Sequence, residues 1–248
     1  MTTQTMNFQR GELFYEGKAK RLYKVVGRED LIWQEFKDSL TAFNAQKKGS
    51  FEDKGAINRE ICGILYSALE AAGVPTHRVQ LQSNTAEVTK KLKMVKLELV
   101  VRNVLAGSTA KKFGLEEGSP LAQPLVEFYY KDDALADPFV SDDQALMIGA
   151  AGSQSELEEL KRFALRVNEV LRGLMGKVGL RLVDFKIEVG RDAEGRLVLG
   201  DEISPDTCRL WDEVSGEKLD KDRFRRDLGG VREAYVDVLQ RLKQTRVG

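Results

Sequence analysis

The chain has 248 residues, 42% hydrophobic and 31% charged, which allows one large globular domain or two small ones. Its 39 basic residues equal its 39 acidic residues, so no overall field attracts nucleic acid or an anionic membrane. Cys62 and Cys208 lie far apart without metal-ligand spacing, which excludes a disulfide scaffold and a zinc knuckle. We expect a soluble, cytoplasmic protein, because no signal peptide and no apolar run of membrane-spanning length is seen.

The N-terminal part predicts a small antiparallel sheet covered by one helix. Residues 12–36 are rich in aromatic and β-branched types and are broken at Gly17 and at residues 27–30, which predicts a meander. Apolar residues then recur at helical spacing from Ile57 to Leu69 and stop at a Gly-Val-Pro sequence. We expect this helix to pack on the meander. Further strands are predicted over residues 77–81, 86–92 and 97–104.

The C-terminal part predicts a second lobe, and we place the boundary between residues 94 and 95. An apolar stripe from Leu157 to Val178 predicts a long helix, and a similar stripe from Val231 to Leu242 predicts a terminal one. Between them, residues 181–189 and 197–203 predict a strand pair. The sequence thus predicts an α+β fold of two lobes, residues 1–94 and 95–248, with a ligand cleft between them.

The predicted strand pair carries acidic side chains that can hold a metal ion. Alternation along residues 181–189 places Val183 on an apolar face, and Lys186 and Glu188 on a charged one. If residues 193–196 form a four-residue loop, Glu188 lies opposite Asp201. Facing carboxylates need a cation between them, and Mg²⁺ with nucleotide phosphates suits such a pair. The pattern alone equally allows a solvated strand face that Lys186 neutralises.

Residues 15–20 place Gly17 in a turn followed by Lys18 and Lys20. A hairpin of this kind can fold over a polyphosphate, because glycine permits close backbone approach and the lysines supply charge. No Walker or dinucleotide-binding glycine motif occurs in the chain. As an isolated motif, a Gly-Lys hairpin more often indicates an ordinary solvated turn.

Other polar residues follow the ends of predicted strands. Arg102 ends an apolar strand, so its guanidinium needs an anionic partner. That partner is either an anionic ligand, which Ser108 could help to bind, or a structural carboxylate of the protein. Asp206 and Arg209 follow the strand that contains Asp201, so they are predicted near the metal; the alternative is a tight turn made by Ser-Pro-Asp. His77, the only histidine, is predicted at the surface or at a strand start.

Six segments, taken together, resemble the SAICAR synthetase (phosphoribosylaminoimidazole-succinocarboxamide synthase) family in family order and over nearly the whole chain. They are YEGKAKRLY (15–23), FKDSLTAFNAQKK (36–48), VVRNVLAGS (100–108), YKDDALADP (130–138), LVDFKIE (182–188) and LGDEISPDTCRLWD (199–212). The resemblance implies two α+β lobes related to the ATP-grasp enzymes, with ATP between them. It also implies a cytoplasmic homodimer that binds neither nucleic acid nor membrane.

The implied reaction joins L-aspartate to the carboxylate of 5-amino-1-(5-phospho-D-ribosyl)imidazole-4-carboxylate (CAIR) and converts ATP to ADP and phosphate. The resemblance implies these roles: ATP binding by Gly17, Lys18, Ala19, Lys20 and Met94; Mg²⁺ binding by Glu188 and Asp201; catalysis by Lys186 with those two carboxylates; substrate binding by Arg102, Ser108, Lys131, Asp206 and Arg209. Two alternatives remain, a small-molecule kinase that uses the same ATP-magnesium site and a nucleotide-binding module without turnover.

Overall fold

A computed structural model of the protein describes residues 6–43 and 45–245. Its first half contains β1 (Arg10–Glu16), β2 (Lys20–Val25), β3 (Arg28–Phe36), β4 (Ser39–Ala42), β5 (Lys47–Ser50), α1 (Lys54–Ala71), β6 (Arg78–Leu81), β7 (Ala86–Lys90), β8 (Lys93–Val104) and α2 (Gly107–Phe113). Its second half contains β9 (Pro120–Tyr130), a 3₁₀ turn (Asp133–Leu135), β10 (Phe139–Val140), α3 (Asp142–Met147), α4 (Gln154–Lys177), β11 (Leu180–Arg191), β12 (Leu197–Gly200), β13 (Cys208–Asp212), α5 (Asp222–Arg225) and α6 (Val231–Gln244).

The strands form antiparallel sheets. One sheet has the order β1-β2-β3-β7-β6, a second has the order β10-β9-β8-β11-β12 with β13 also paired to β11, and β4 and β5 form a small hairpin. The change from the first sheet to the second occurs between β7 and β8, close to residue 94. The combination of helices with antiparallel sheets is the predicted α+β class. None of the helices in the described ranges has the length and apolar character needed to cross a membrane.

The main core lies between the second sheet and three helices, α1, α4 and α6. Fully buried members include Ile61 of α1, Leu160 of α4, Tyr235 of α6 and Ile187 of β11. The prediction that α1 packs on the first sheet holds only in part: α1 packs chiefly on α6 and α4, and it contacts the first sheet at β3 and through Arg78 of β6, which donates hydrogen bonds to Gly63 and Glu70. The reason is area, because the first sheet offers a small apolar cluster. A division into lobes at residue 94 remains a proposal.

The hairpin between β11 and β12 differs by one residue from the predicted register. Arg191 pairs with Leu197, so the loop has five residues (192–196) and Glu188 pairs with Gly200 rather than with Asp201. Asp192 explains the extra residue, because its carboxylate accepts hydrogen bonds from the backbone N–H groups of residues 194 and 196 at 3.1 and 2.9 Å. Asp201 therefore lies just beyond the strand end.

The alternation predicted for β11 also fails at one position. The pairing of β11 with β13 shifts between Leu182 and Asp184. Val183 consequently leaves the main core and packs in a separate cluster that includes Val104 and Trp211. Beyond this irregularity the alternation holds: Ile187 is buried in the main core, whereas the neighbouring polar side chains point to the other face.

Candidate active site

A cavity of about 380 Å³ is lined by residues from both large sheets. Ten of the thirteen residues that the sequence predicts for the site line it: Gly17, Lys18, Ala19, Lys20, Met94, Lys131, Lys186, Glu188, Asp201 and Asp206. Arg102, Ser108 and Arg209 lie outside this lining and are described below. The structure thus brings together residues that are up to 189 positions apart in sequence, from Gly17 to Asp206.

The predicted metal-binding carboxylates face the same space, although they are not opposite each other in the ladder. Lys186 Nζ lies 2.7 Å from Glu188 Oε1 and 3.9 Å from Asp201 Oδ2. The two carboxylates therefore flank one ammonium group. Lys20 Nζ forms a second ion pair with Asp201. An arrangement in which two carboxylates already share one cation is compatible with a divalent ion between them.

Asp201 is held in a backbone conformation that few non-glycine residues adopt. Its φ is 55°, in the left-handed region, which costs about 1–2 kcal/mol for a residue with a Cβ. The Tyr66 hydroxyl donates hydrogen bonds to the carbonyl oxygens of Gly200 (3.2 Å) and Asp201. Burial acts to raise the pKa of Asp201, but Lys20 and Lys186 outweigh it and keep the pKa below its usual value. The side chain is therefore an anion directed at the cavity.

Glu98 of β8 is a member of this cluster that the sequence reasoning missed. Its Oε1 accepts hydrogen bonds from Lys131 Nζ at 2.8 Å and from Lys186 Nζ at 2.9 Å. Glu98 pairs with Glu188 across the β8–β11 ladder. Burial acts to lower the pKa of Lys186, but Glu188, Glu98 and Asp201 outweigh it and raise that pKa. A signal was available, since alternation along β8 places Glu98 on the same face as Arg102.

The turn between β1 and β2 covers one side of the cavity. The Gly17 N–H donates to the Lys20 carbonyl at 2.8 Å, and a Cβ at Gly17 would lie 3.1 Å from the Tyr15 ring. Lys18 Nζ reaches Asp133 Oδ1 at 2.8 Å, and both residues line the cavity. The turn therefore makes contact with the segment that follows β9.

Met94, at the start of β8, packs on two glycines of the opposite strand pair. A Cβ at Gly200 would lie 3.2 Å from Met94 Cε, and a Cβ at Gly190 would lie 3.1 Å from its Sδ. Larger residues at either glycine would displace the thioether. Met94 is 43% exposed, so it offers an apolar surface to the cavity.

His77 also lines the cavity. The sequence predicted that His77 lies either at the surface or at the start of a strand. It directly precedes β6 but is 6% exposed. Burial, together with the nearby ammonium of Lys20, lowers the pKa of His77 to about 3, so the imidazole is neutral. Its Nε2 atom has no hydrogen-bond partner among the residues that the structure describes.

Arg102 and Arg209 belong to a second group, which we call the arginine cluster: Arg102, Glu127, Asp184, Arg209 and Asp222. Arg102 Nε lies 2.7 Å from Glu127 Oε2, and its Nη1 lies 2.6 Å from Asp184 Oδ2. Arg209 Nη1 contacts the same Asp184 oxygen at 2.8 Å, and its Nε contacts Asp222 at 2.9 Å. The structural carboxylate that the sequence left open as a partner of Arg102 is therefore present.

Gly107 and Ser108, at the start of α2, adjoin the arginine cluster. Gly107 has a φ of 61°, and a Cβ there would lie 2.5 Å from Arg209 Nη2. Glycine is thus required both by the backbone conformation and by the guanidinium packed against it. Ser108 is exposed.

Asp206 is the most enclosed of the predicted substrate-binding residues that line the cavity. Its carboxylate lies 2.5 Å from Nζ of Lys54, the first residue of α1. The sequence reasoning did not consider Lys54, although its spacing from Ile57 and Ile61 puts it on the buried stripe of α1.

The basic residues predicted for the site are matched by carboxylates. Each of the six basic residues predicted for the site has a carboxylate partner: Lys18 with Asp133, Lys20 with Asp201, Lys131 with Glu98, Lys186 with Glu188, and Arg102 and Arg209 with Asp184. Within residues 6–43 and 45–245, no group of three or more acidic, histidine or cysteine side chains is placed to hold a metal ion. Two carboxylates are what Mg²⁺ commonly takes from a protein when phosphates complete its coordination.

Comparison with known proteins identifies the family. A family model described as SAICAR synthetase matches residues 13–242. Phosphoribosylaminoimidazole-succinocarboxamide synthase of Desulfitobacterium hafniense is 50% identical over 236 residues, covering 95% of this chain and 98% of that protein. The crystal structure of the synthase from Ehrlichia chaffeensis matches with a TM-score of 0.90 and 41% identity over 94% of this chain and 98% of that chain. A SAICAR synthetase in complex with ADP matches with a TM-score of 0.89 and 44% identity, covering 93% and 97% of the two chains.

The fold and the cavity, with these matches, define an ATP-dependent ligase of purine biosynthesis. The chain belongs to the SAICAR synthetase family. The predicted family, its fold and its enzyme class are confirmed, and the alternative of a small-molecule kinase is not favoured.

Proposed function

We propose that this chain joins L-aspartate to the carboxylate of CAIR, with conversion of ATP to ADP and phosphate, inside the cavity described above. The observation that supports the proposal most directly is that Glu188 and Asp201 flank Lys186 on one wall of that cavity. A carboxylate is a poor electrophile, so it needs phosphorylation before an amine can displace the oxygen. A site for this chemistry must hold a nucleotide, two further anions and the charge that develops between them.

The residues present fit a bound Mg²⁺, which Glu188 and Asp201 would hold. When bound, this ion would neutralise charge on the nucleotide phosphates. Lys186 would then lie beside the phosphoryl group that is transferred, as its position between both carboxylates suggests. Glu98 would keep Lys131 and Lys186 in place, because both lysines also donate hydrogen bonds to it.

Charge balance determines how the cavity accepts anionic substrates. Lys18, Lys20, Lys131 and Lys186 already pair with carboxylates, so a phosphate gains one of these ammonium groups only if a carboxylate gives it up. Lys90 and Lys221 also line the cavity and form no ion pair among the residues that the structure describes. Lysine suits such an exchange, because its ammonium group is a point charge on a flexible stem. We therefore infer that Lys20 and Lys186 turn from Asp201 and Glu188 toward phosphate oxygens when the nucleotide binds.

The ATP-binding residues of this proposal are those of the turn and the start of β8. Gly17, Lys18, Ala19 and Lys20 would cover the phosphates, and Met94 would pack beside the adenine. Neutral His77 also lines this pocket, and its unpartnered Nε2 is itself buried.

The ribonucleotide would be bound by Arg102, Ser108, Lys131, Asp206 and Arg209. Asp206 and Lys131 line the cavity, and the arginine cluster adjoins it through β11, where Asp184 and Lys186 are two residues apart. This arrangement would place the phosphate of the ribonucleotide at the arginine cluster and its imidazole near Asp206. We also propose that the protein is a homodimer in the cytoplasm.

An ADP-release assay in which each substrate is omitted in turn tests the reaction. The proposal expects full turnover only with ATP, CAIR and L-aspartate together. Substantial ADP release without aspartate would indicate a kinase instead, and no ADP release under any condition would indicate a binding module. The metal assignment is tested separately by titrating Mg²⁺ against nucleotide affinity in the wild-type protein and in Asp201→Asn, where the magnesium dependence of affinity should weaken.

A further inference from the structure

Lys54 is a lysine whose side chain is almost completely removed from solvent. Its side chain is 1% exposed, and its partner Asp206 is 5% exposed. Removing an ammonium group from water is costly, and a buried ion pair rarely stabilises a fold more than apolar residues of similar volume do. The pair therefore calls for an explanation other than stability.

Asp206 receives hydrogen bonds on both carboxylate oxygens. Asn58 Nδ2, one turn further along α1, donates to Oδ2 at 3.0 Å. The Tyr235 hydroxyl of α6 donates to Oδ1 at 2.7 Å. Together with Lys54, these groups fix the carboxylate from two helices that meet beneath the cavity wall. The rotation of the carboxylate is thereby fixed as well as its position.

The surroundings keep Asp206 charged. Burial acts to raise its pKa, but Lys54 and Lys221 outweigh burial and hold the pKa below its usual value. Because Asp206 also lines the cavity, its fixed charge is presented to whatever binds there.

We propose that Lys54 is a positioning residue for the ligase reaction, which holds the Asp206 carboxylate in one orientation for the ribonucleotide, with Tyr235 supporting the second oxygen. This rests on the proposed function, in which Asp206 contacts the ribonucleotide. Lys54 itself does not line the cavity, so it acts through Asp206 alone. Only ribonucleotide binding should therefore depend on it, whereas nucleotide binding should not.

The test compares Lys54→Met with two other variants. Lys54→Met keeps the length of the side chain and removes the charge. Tyr235→Phe removes one hydrogen bond to Asp206 and keeps the aromatic ring, which packs against Phe51. Leu69→Ala is the matched control, because Leu69 is a fully buried residue of the same helix, about 22 Å along its axis from Lys54.

The KM values for CAIR and ATP are measured by steady-state kinetics, and stability is measured by thermal unfolding. Lys54→Met should raise KM for CAIR at least about tenfold while KM for ATP changes less than about twofold. Tyr235→Phe should raise KM for CAIR by about three- to tenfold. Leu69→Ala should lower the melting temperature without changing either KM. In an Asp206→Asn background, Lys54→Met should have no further effect on KM for CAIR.

Several outcomes would overturn the inference. One is a Lys54→Met enzyme that resembles Leu69→Ala, with reduced stability and unchanged KM for CAIR. Another is a full-sized Lys54→Met effect in the Asp206→Asn background. If Lys54→Met does not fold, an unchanged KM for CAIR in Tyr235→Phe overturns it. Failure of the proposed function is distinguishable, because the wild-type protein in the same assay would then release no ADP with all three substrates.

Discussion

The cavity and the arginine cluster both pair basic side chains with carboxylates, but they do so in different ways. In the cavity the bases are lysines, and the ion pair of Lys186 with Asp201 has side chains that are 27% and 24% exposed. In the arginine cluster, Arg102 and Asp184 are 4% and 5% exposed. Sharing of carboxylates is common to both regions: Arg102 and Arg209 share Asp184, and Lys20, Lys131 and Lys186 share Glu98, Glu188 and Asp201 among themselves. The regions differ in the base, because the arginines are rigid planar forks and the lysines are point charges on flexible stems.

This difference has a functional consequence. An arginine fork held by two carboxylates has a fixed geometry and suits recognition of a group that stays the same through the reaction. Lysines that share partners can redistribute as charge moves, which suits the phosphoryl groups of ATP. We therefore expect the cavity to control turnover and nucleotide binding, and the arginine cluster to control ribonucleotide affinity. Single substitutions in each region separate these two roles.

The largest effect should come from Asp201→Asn in the cavity. Loss of this anion removes one proposed metal ligand and leaves Lys20 and Lys186 without a shared counter-ion. Turnover should fall roughly 10²- to 10³-fold. The fold should survive, because asparagine tolerates the left-handed backbone that residue 201 adopts.

The measurement is kcat in the ADP-release assay, with thermal unfolding as a check on the fold. Asp133→Asn is the control, since Asp133 also lines the cavity but its side chain is 61% exposed. Wild-type kcat in Asp201→Asn would remove Asp201 from the metal site.

Arg209→Ala should have the next largest effect, this time in the arginine cluster. The substitution leaves Asp184 with Arg102 and leaves Asp222 with Arg225, so no carboxylate of the cluster is left without a cation. The free energy of unfolding should drop by about 1–3 kcal/mol. KM for CAIR should rise at least about tenfold, with KM for ATP within about twofold. A loss of stability with no change in KM for CAIR would mean that the cluster is purely structural.

The sequence predicted which residues lie in the cavity and in the arginine cluster better than it predicted how these residues are arranged. Ten of the thirteen predicted residues line one cavity, and their roles there stay predictions. The register of Asp201 was wrong because it depended on a loop length that the Asp192 side chain determines. The contact of Lys54 with Asp206 joins residues 152 positions apart, and no local pattern encodes such a distance. The one available signal for this contact was the position of Lys54 on the apolar stripe of α1.

Gly107→Ala perturbs the arginine cluster without removing any charge. The new methyl group would lie 2.5 Å from Arg209 Nη2, so the guanidinium must move. Gly27→Ala is a matched control, because Gly27 also has a positive φ, 72°, but a Cβ there meets nothing within 4 Å. Both variants should lose about 1 kcal/mol of stability through backbone strain.

Only Gly107→Ala should raise KM for CAIR, by about three- to tenfold, as measured beside KM for ATP. Equal KM values for CAIR in the two glycine variants would contradict a role of Arg209 geometry in ribonucleotide binding.

Lys18→Ala should have the smallest effect, and it tests the cavity from its exposed side. The ion pair of Lys18 with Asp133 has side chains that are 48% and 61% exposed, so its loss should change stability by less than about 1 kcal/mol. KM for ATP should nevertheless rise about two- to fivefold, because the turn that we propose to cover the phosphates loses a cation. KM for CAIR should stay unchanged, in contrast to the arginine-cluster variants.

Asp133→Ala is the control, because it removes the same ion pair but leaves the cation. If KM for ATP rises as much in Asp133→Ala as in Lys18→Ala, the ion pair matters for the nucleotide rather than the charge of Lys18.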